Sequence, residues 1–168
     1  MSEARVVIQV DKRFEQAFTA AKLDRLLLDV AETALSRELE SGPDHVTLII
    51  TDDEALRKLN LEFMGYDEAT DVLSFNSQPA SYEQIWPQVE DEESNELGDI
   101  AISYERAVDQ AKSAGHEIAH ELSILTAHGV LHLLGYDHAE PNEHKVMFDK
   151  TDDILAHMSD STKGRSDD

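Results

Sequence analysis

The chain contains no cysteine. That excludes disulfides and any metal site built on thiolates. Basic residues are scarce: 14 lysines and arginines stand against 36 aspartates and glutamates, a net charge of -22. Phosphate binding rests on basic side chains, so this balance argues against a broad nucleic-acid footprint, and any RNA binding must be local, helped by metal or by a protein partner. No apolar run approaches the length of a membrane span. Met1-Ser2-Glu3-Ala4-Arg5 lacks the basic-then-apolar layout of a secretion signal. The chain is therefore expected to be soluble and cytoplasmic. It has no glycine-rich phosphate loop and no G-x-S-x-G nucleophile elbow.

What is present suits one domain: 168 residues with 40% hydrophobic content. Arg5 to Val10 reads as a first strand and Val46 to Ile50 as a second, buried one. Between them, Leu23, Leu26, Leu27, Val30, Ala34 and Leu35 recur at helical spacing within a helix from Ala20 to about Leu39, stopped by Gly42-Pro43. Thr51, with Glu54 three residues on, resembles a capping box and opens a helix through Leu61. Asp71 to Phe75 and Leu97 to Ser103 read as third and fourth strands. Asn76 to Glu96 is irregular and reads as a surface loop. Its Trp86 is either a substrate contact or an anchor for the loop, and its acidic run Glu90-Asp91-Glu92-Glu93 reads as a solvated face. A helix from Tyr104 to about Ser113 ends near Gly115. A central helix spans Glu117 to Leu134. A last helix runs from Pro141 to about Met158 with Val146, Met147, Ile154 and Leu155 inward. The loose alternation points to a single α+β or α/β domain over residues 1–158. Residues 159–168 are small and polar, and a disordered tail is expected there.

The central helix carries the chemistry. In His128-Gly129-Val130-Leu131-His132-Leu133-Leu134-Gly135-Tyr136-Asp137-His138, two histidines stand one turn apart and share a helix face. Gly135 is placed to end the helix with a left-handed residue, so the chain can fold back and bring His138 to the same ion. The pattern matches the long zinc-protease signature H-E-x-x-H-x-x-G-x-x-H except at Gly129, where the peptidase has its glutamate base. The reading is a three-histidine zinc site with an open fourth position and without the usual peptidase base. Asp137 is either a carboxylate that orients a ligand histidine or accepts a proton, or a turn residue after Gly135. His116 and His120 are also four apart, but no third ligand follows at a suitable spacing.

With Gly135-Tyr136-Asp137-His138 at its end, the metal motif resembles the signature of the YbeY family of bacterial ribosomal-RNA maturation factors. Leu59-Asn60, Gly65, Asp67 and Thr70-Asp71-Val72-Leu73-Ser74-Phe75 are similar to that family's central block, and Leu97-Gly98-Asp99-Ile100 to a further one. The resemblance implies a single α+β domain with a small, mostly parallel four-stranded sheet, surrounding helices and a central metal-bearing helix. It implies a zinc-dependent, single-strand-specific endoribonuclease acting in maturation of the small-subunit ribosomal-RNA 3′ end and in ribosome quality control. His128, His132 and His138 match the family's zinc ligands. The implied partners are ribosomal RNA, small-subunit ribosomal proteins and an assembly GTPase. Two positions depart from the pattern: Met64 replaces an arginine, a natural phosphate contact, and Asn76 replaces a proline. Two rival readings stand beside this one. One is a metallohydrolase of another substrate such as a peptide, against which Gly129 counts. The other is a ribosome-assembly factor that binds without cutting and holds its metal structurally.

Overall fold

A computed structural model describes residues 5–39, 42, 44–76, 96–136 and 141–166, with side chains described to residue 158 in the last segment. The elements are β1 (Val6–Val10), α1 (Lys12–Ala20), α2 (Leu23–Glu38), β2 (His45–Thr51), α3 (Asp53–Met64), β3 (Val72–Asn76), β4 (Glu96–Ser103), α4 (Tyr104–Ala114), α5 (Ile118–Leu133) and α6 (Pro141–Ser166). The four strands form one sheet in the order β1-β2-β4-β3. β1, β2 and β4 run parallel, and β3 closes one edge antiparallel to β4. This is the single α+β domain with the small, mostly parallel sheet that the resemblance implied.

Alternation along the strands divides the sheet into two faces. Val46, Leu48, Ile50, Ile100 and Ile102 are buried on one face. α2 and α5 lie side by side over it, and α6 packs against both. α2 contributes Leu23, Leu27, Val30, Ala31, Ala34 and Leu35 to this core. α3 covers the other face near β3, where the Phe63 and Phe75 rings meet at 5.2 Å.

Several local expectations change. α1 was not legible in the sequence. It is capped by Asp11, which accepts from the Arg13 amide at 3.0 Å, and it buries Phe18 beside Tyr104. Lys22, in the left-handed region at φ 57, separates it from α2. The cap of α3 is Asp52, which accepts from the Ala55 amide at 2.8 Å. Thr51 is held in the sheet opposite Ser103 and leaves the cap to its neighbour. In α6, Met147 and Ile154 are buried, but Val146 is 44% exposed. That helix also continues past Met158 to Ser166, where a tail was expected. Trp86 and the run Glu90 to Glu93 lie outside the described residues.

Candidate metal centre

α5 is apolar nearly all round, as a helix walled in on most sides must be. Leu122, Leu125, Ala127, Gly129, Val130, Leu131 and Leu133 are all buried. Ile124, His128 and His132 are half-buried, and they stand one turn apart along a single stripe. The two histidines therefore occupy the part of α5 that opens toward solvent. The Nε2 atom of His128 is itself shielded from solvent.

Gly129 faces the sheet. A Cβ built there would meet Cγ2 of Ile100 at 2.6 Å. Real side chains do not approach that closely, so at the position that holds the peptidase glutamate even an alanine methyl would have to push Ile100 aside. Gly98 allows a second close approach: a Cβ there would meet the Phe75 carbonyl oxygen at 2.3 Å and Cδ2 of Leu133 at 2.7 Å. β3 then reaches across to the helix. Ser74 Oγ donates to the Gly129 carbonyl at 3.1 Å, and Asn76 Nδ2 donates to the Leu133 carbonyl at 2.9 Å. The Leu133 carbonyl lies in the last turn and has no partner within the helix. Asn76 thus makes a bond that a proline, lacking a donor, could not make.

The C-terminus of α5 is a Schellman motif. The Gly135 amide bonds the His132 carbonyl at 3.0 Å and the Tyr136 amide bonds the Leu131 carbonyl at 2.9 Å. Gly135 sits at φ 102, the left-handed turn expected of it. On the solvent side, α6 supplies a wall: the Phe148 ring stands edge-on to His128 at 5.1 Å and against His144 at 4.4 Å. Neither Phe148 nor His144 was singled out from the sequence, since each is one aromatic on an exposed helical turn.

Asp137 and His138 lie outside the described residues. Among the described residues, no group of three or more histidine, aspartate and glutamate side chains could hold a metal ion. The two nitrogens of His128 and His132 fit an ion whose remaining ligands come from elsewhere, since they share one face on consecutive turns. His116 and His120 are arranged otherwise. Their rings meet edge to face at 4.7 Å, and His116 Nε2 is paired with Glu121 Oε1 at 2.7 Å. Met64 is exposed at the end of α3, beside exposed Phe63 and Tyr66.

The family model described as Endoribonuclease YbeY matches residues 9–159. An "Endoribonuclease YbeY" from Thermoanaerobacter sp. strain X514 is 38% identical over 157 residues, covering 90% of this chain and 97% of that protein. One from Desulforamulus reducens is 39% identical over 153 residues, covering 91% and 97%. One from Listeria monocytogenes serotype 4a is 44% identical over 121 residues, covering 70% and 74%. Among solved structures, the solution structure of TM1509 from Thermotoga maritima matches with a TM-score of 0.55 and 25% identity, covering 97% of this chain and 95% of that one. The match runs almost from end to end and takes in β2 to β4, the helix that carries His128 and His132 and the helix packed against it, so this chain belongs to the YbeY endoribonuclease family.

Proposed function

We propose that this chain is a zinc-dependent endoribonuclease that cuts single-stranded RNA and acts in maturation of the small-subunit ribosomal-RNA 3′ end and in ribosome quality control. The observation that carries the reading is the pair His128 and His132, side by side on the half-open stripe of α5 in a member of an endoribonuclease family. A zinc ion bound there supplies Lewis acidity toward a phosphoryl oxygen. The chain's own residues do the rest. His128 and His132 would hold the ion through ring nitrogens, with His138 as the third expected ligand. Ser74 and Asn76 fix the helix turns that present them. Phe148 shields the His128 ring on the α6 side. The close packing of Gly129 on Ile100 leaves no place for a peptidase base, which separates this centre from the zinc proteases. Asp137 is the candidate group for proton transfer. The proposed partners are ribosomal RNA, small-subunit ribosomal proteins and an assembly GTPase, met in the cytoplasm.

The test is cleavage of a precursor ribosomal-RNA 3′ end by the purified protein, metal-loaded, chelated and as His132→Ala, alongside Met64→Arg. The proposal expects the metal-loaded wild type and Met64→Arg to cut and the other two to be inert. Equal cutting by all four would overturn it.

One observation favours a second reading, a non-cleaving assembly factor. The arginine position of the family pattern holds an exposed methionine, and Leu61, Phe63 and Tyr66 nearby in the chain are exposed as well, on a chain of net charge -22. On that reading His132→Ala lowers thermal stability while RNA cleavage stays at background in the wild type as well.

A further inference from the structure

Glu38 is the last residue of α2. A carboxylate there faces the negative end of the helix dipole, an unfavourable place for it. The structure shows what offsets this. Tyr136 Oη donates to Glu38 Oε1 at 2.8 Å. Lys150 Nζ reaches the same oxygen at 3.0 Å, and the Glu38 side chain is only 12% exposed. Lys150 also lies over the Tyr136 ring, 5.1 Å from its centroid. Three segments far apart in sequence thus meet at one carboxylate: the end of α2, the residue after the Schellman turn of α5, and the middle of α6.

Each arm leads to the metal centre. The Tyr136 amide bonds the Leu131 carbonyl, and the amide before it bonds the carbonyl of His132, so Tyr136 is locked to the turn that carries His132. Lys150 ties α6 to the same carboxylate, and α6 carries on another of its faces Phe148, the ring beside His128. In sequence, Tyr136 is also the second residue before His138.

We propose that Glu38, Tyr136 and Lys150 form a positioning clamp for the metal centre, one that fixes the C-terminal turn of α5 against α2 and α6 and thereby sets the geometry and affinity of the ion held by His128 and His132. In this proposal none of the three is a ligand of the ion. They act through the backbone of the turn that carries His132, one step further back than the partners that bond a metal ligand directly. The inference rests on the metal-site reading above.

The experiment is titration of the metal-free full chain with Co2+, followed by visible absorption, which reports ligand geometry independently of RNA cleavage. The variants are Tyr136→Phe, Glu38→Ala and Glu38→Gln. Glu32→Gln serves as a control, since it weakens the Arg5–Glu32 ion pair elsewhere on α2. The clamp predicts a loss of Co2+ affinity on the order of tenfold or more for Tyr136→Phe and Glu38→Ala, with an altered absorption band. Glu38→Gln keeps an acceptor for the tyrosine and restores part of the affinity. Melting temperatures of the metal-free Tyr136→Phe and Glu32→Gln proteins should fall alike, while Glu32→Gln binds Co2+ as the wild type does. Wild-type affinity and spectrum in Tyr136→Phe and Glu38→Ala would overturn the clamp and leave the metal site standing. Absence of Co2+ binding in the wild type would overturn both.

Discussion

Two pairs of histidines four residues apart lie on one stretch of this chain, and the structure treats them differently. His128 and His132 are both inside α5, on consecutive turns of its half-open stripe. His116 lies before the helix begins, and only His120 is within it. The first pair therefore shares one face of the helix on consecutive turns. The second pair turns edge to face, and one of its nitrogens is engaged by Glu121. Spacing is a helical statement, and it carries metal-site meaning only where both residues are helical. The comparison breaks most clearly by substitution. Changes behind a ligand cost about 10–100-fold in metal affinity or activity, so removing a ligand costs more. His132→Ala is expected to lower Zn2+ affinity by more than about a hundredfold, and His120→Ala by less than about twofold, as befits a side chain away from the site. Competition with a chromogenic chelator measures both.

The next largest effect concerns packing. Gly115 lies before α5 and Gly129 within it, and the two are glycine for different reasons. Gly115 ends α4 at φ 73 with open space around its Cα, whereas Gly129 lies against Ile100 with none. Gly129→Ala overpacks the contact between α5 and the sheet and is expected to cost about 1–3 kcal/mol. At roughly 2–4 °C per kcal/mol for a chain of this size, the thermal midpoint records it. Gly129→Glu, which restores the peptidase sequence, should cost more and should create no peptidase activity, because the added side chain is directed into the sheet. Gly115→Ala is expected to cost about 1–2 kcal/mol through backbone strain alone. The two ends of α5 differ again in their caps. Glu117 at the start makes no side-chain cap bond, while Asn76 satisfies the Leu133 carbonyl at the end. Asn76→Ala removes one hydrogen bond to a partly buried group, a loss of about 1 kcal/mol in a denaturant melt.

The contrast also shows what a sequence discloses. α5 and its left-handed Gly135 were legible, because a long apolar repeat and a glycine stop are local signals. The four strands were legible for the same reason. α1 was not, since it buries a single residue, Phe18, and its apolar pattern is correspondingly thin. The choice of Asp52 over Thr51 as a cap depends on Thr51 pairing with Ser103, a partner far along the chain. At Gly129 the sequence revealed a missing glutamate but not the cause, which is the closeness of Ile100. Asn76 read as a departure from a family proline, and its bond to Leu133 is a tertiary fact. Phe148 and His144 join the site through the packing of α6, which has no signature of its own. His128 and His132 were legible as a helical pair and lie one turn apart on α5, whereas His138 and Asp137 lie outside the described residues.

The smallest expected effect is one of acidity, and it separates the anchored end of α5 from the rest of the surface. Burial alone would raise the carboxyl of Glu38, but hydrogen bonds from Tyr136 and Lys150, with the lysine charge, outweigh it and hold the group below its ordinary value of 4.5. A carboxyl whose pKa is lower folded than unfolded binds protons more readily in the unfolded chain. Its stabilising contribution is therefore fully present above about pH 4.5 and is lost as the pH falls through the depressed folded value. Glu38→Gln has no such proton to bind. The stability difference between wild type and Glu38→Gln should hence be constant from neutral pH down to about 5, and should shrink below 4.5, as read by urea melts at a series of pH values. The other 35 acidic residues are common to both proteins, so their titration cancels in the difference. A gap that instead widened on acidification would mean that the carboxyl of Glu38 is raised, and that burial outweighs the tyrosine and the lysine in holding the turn beyond His132.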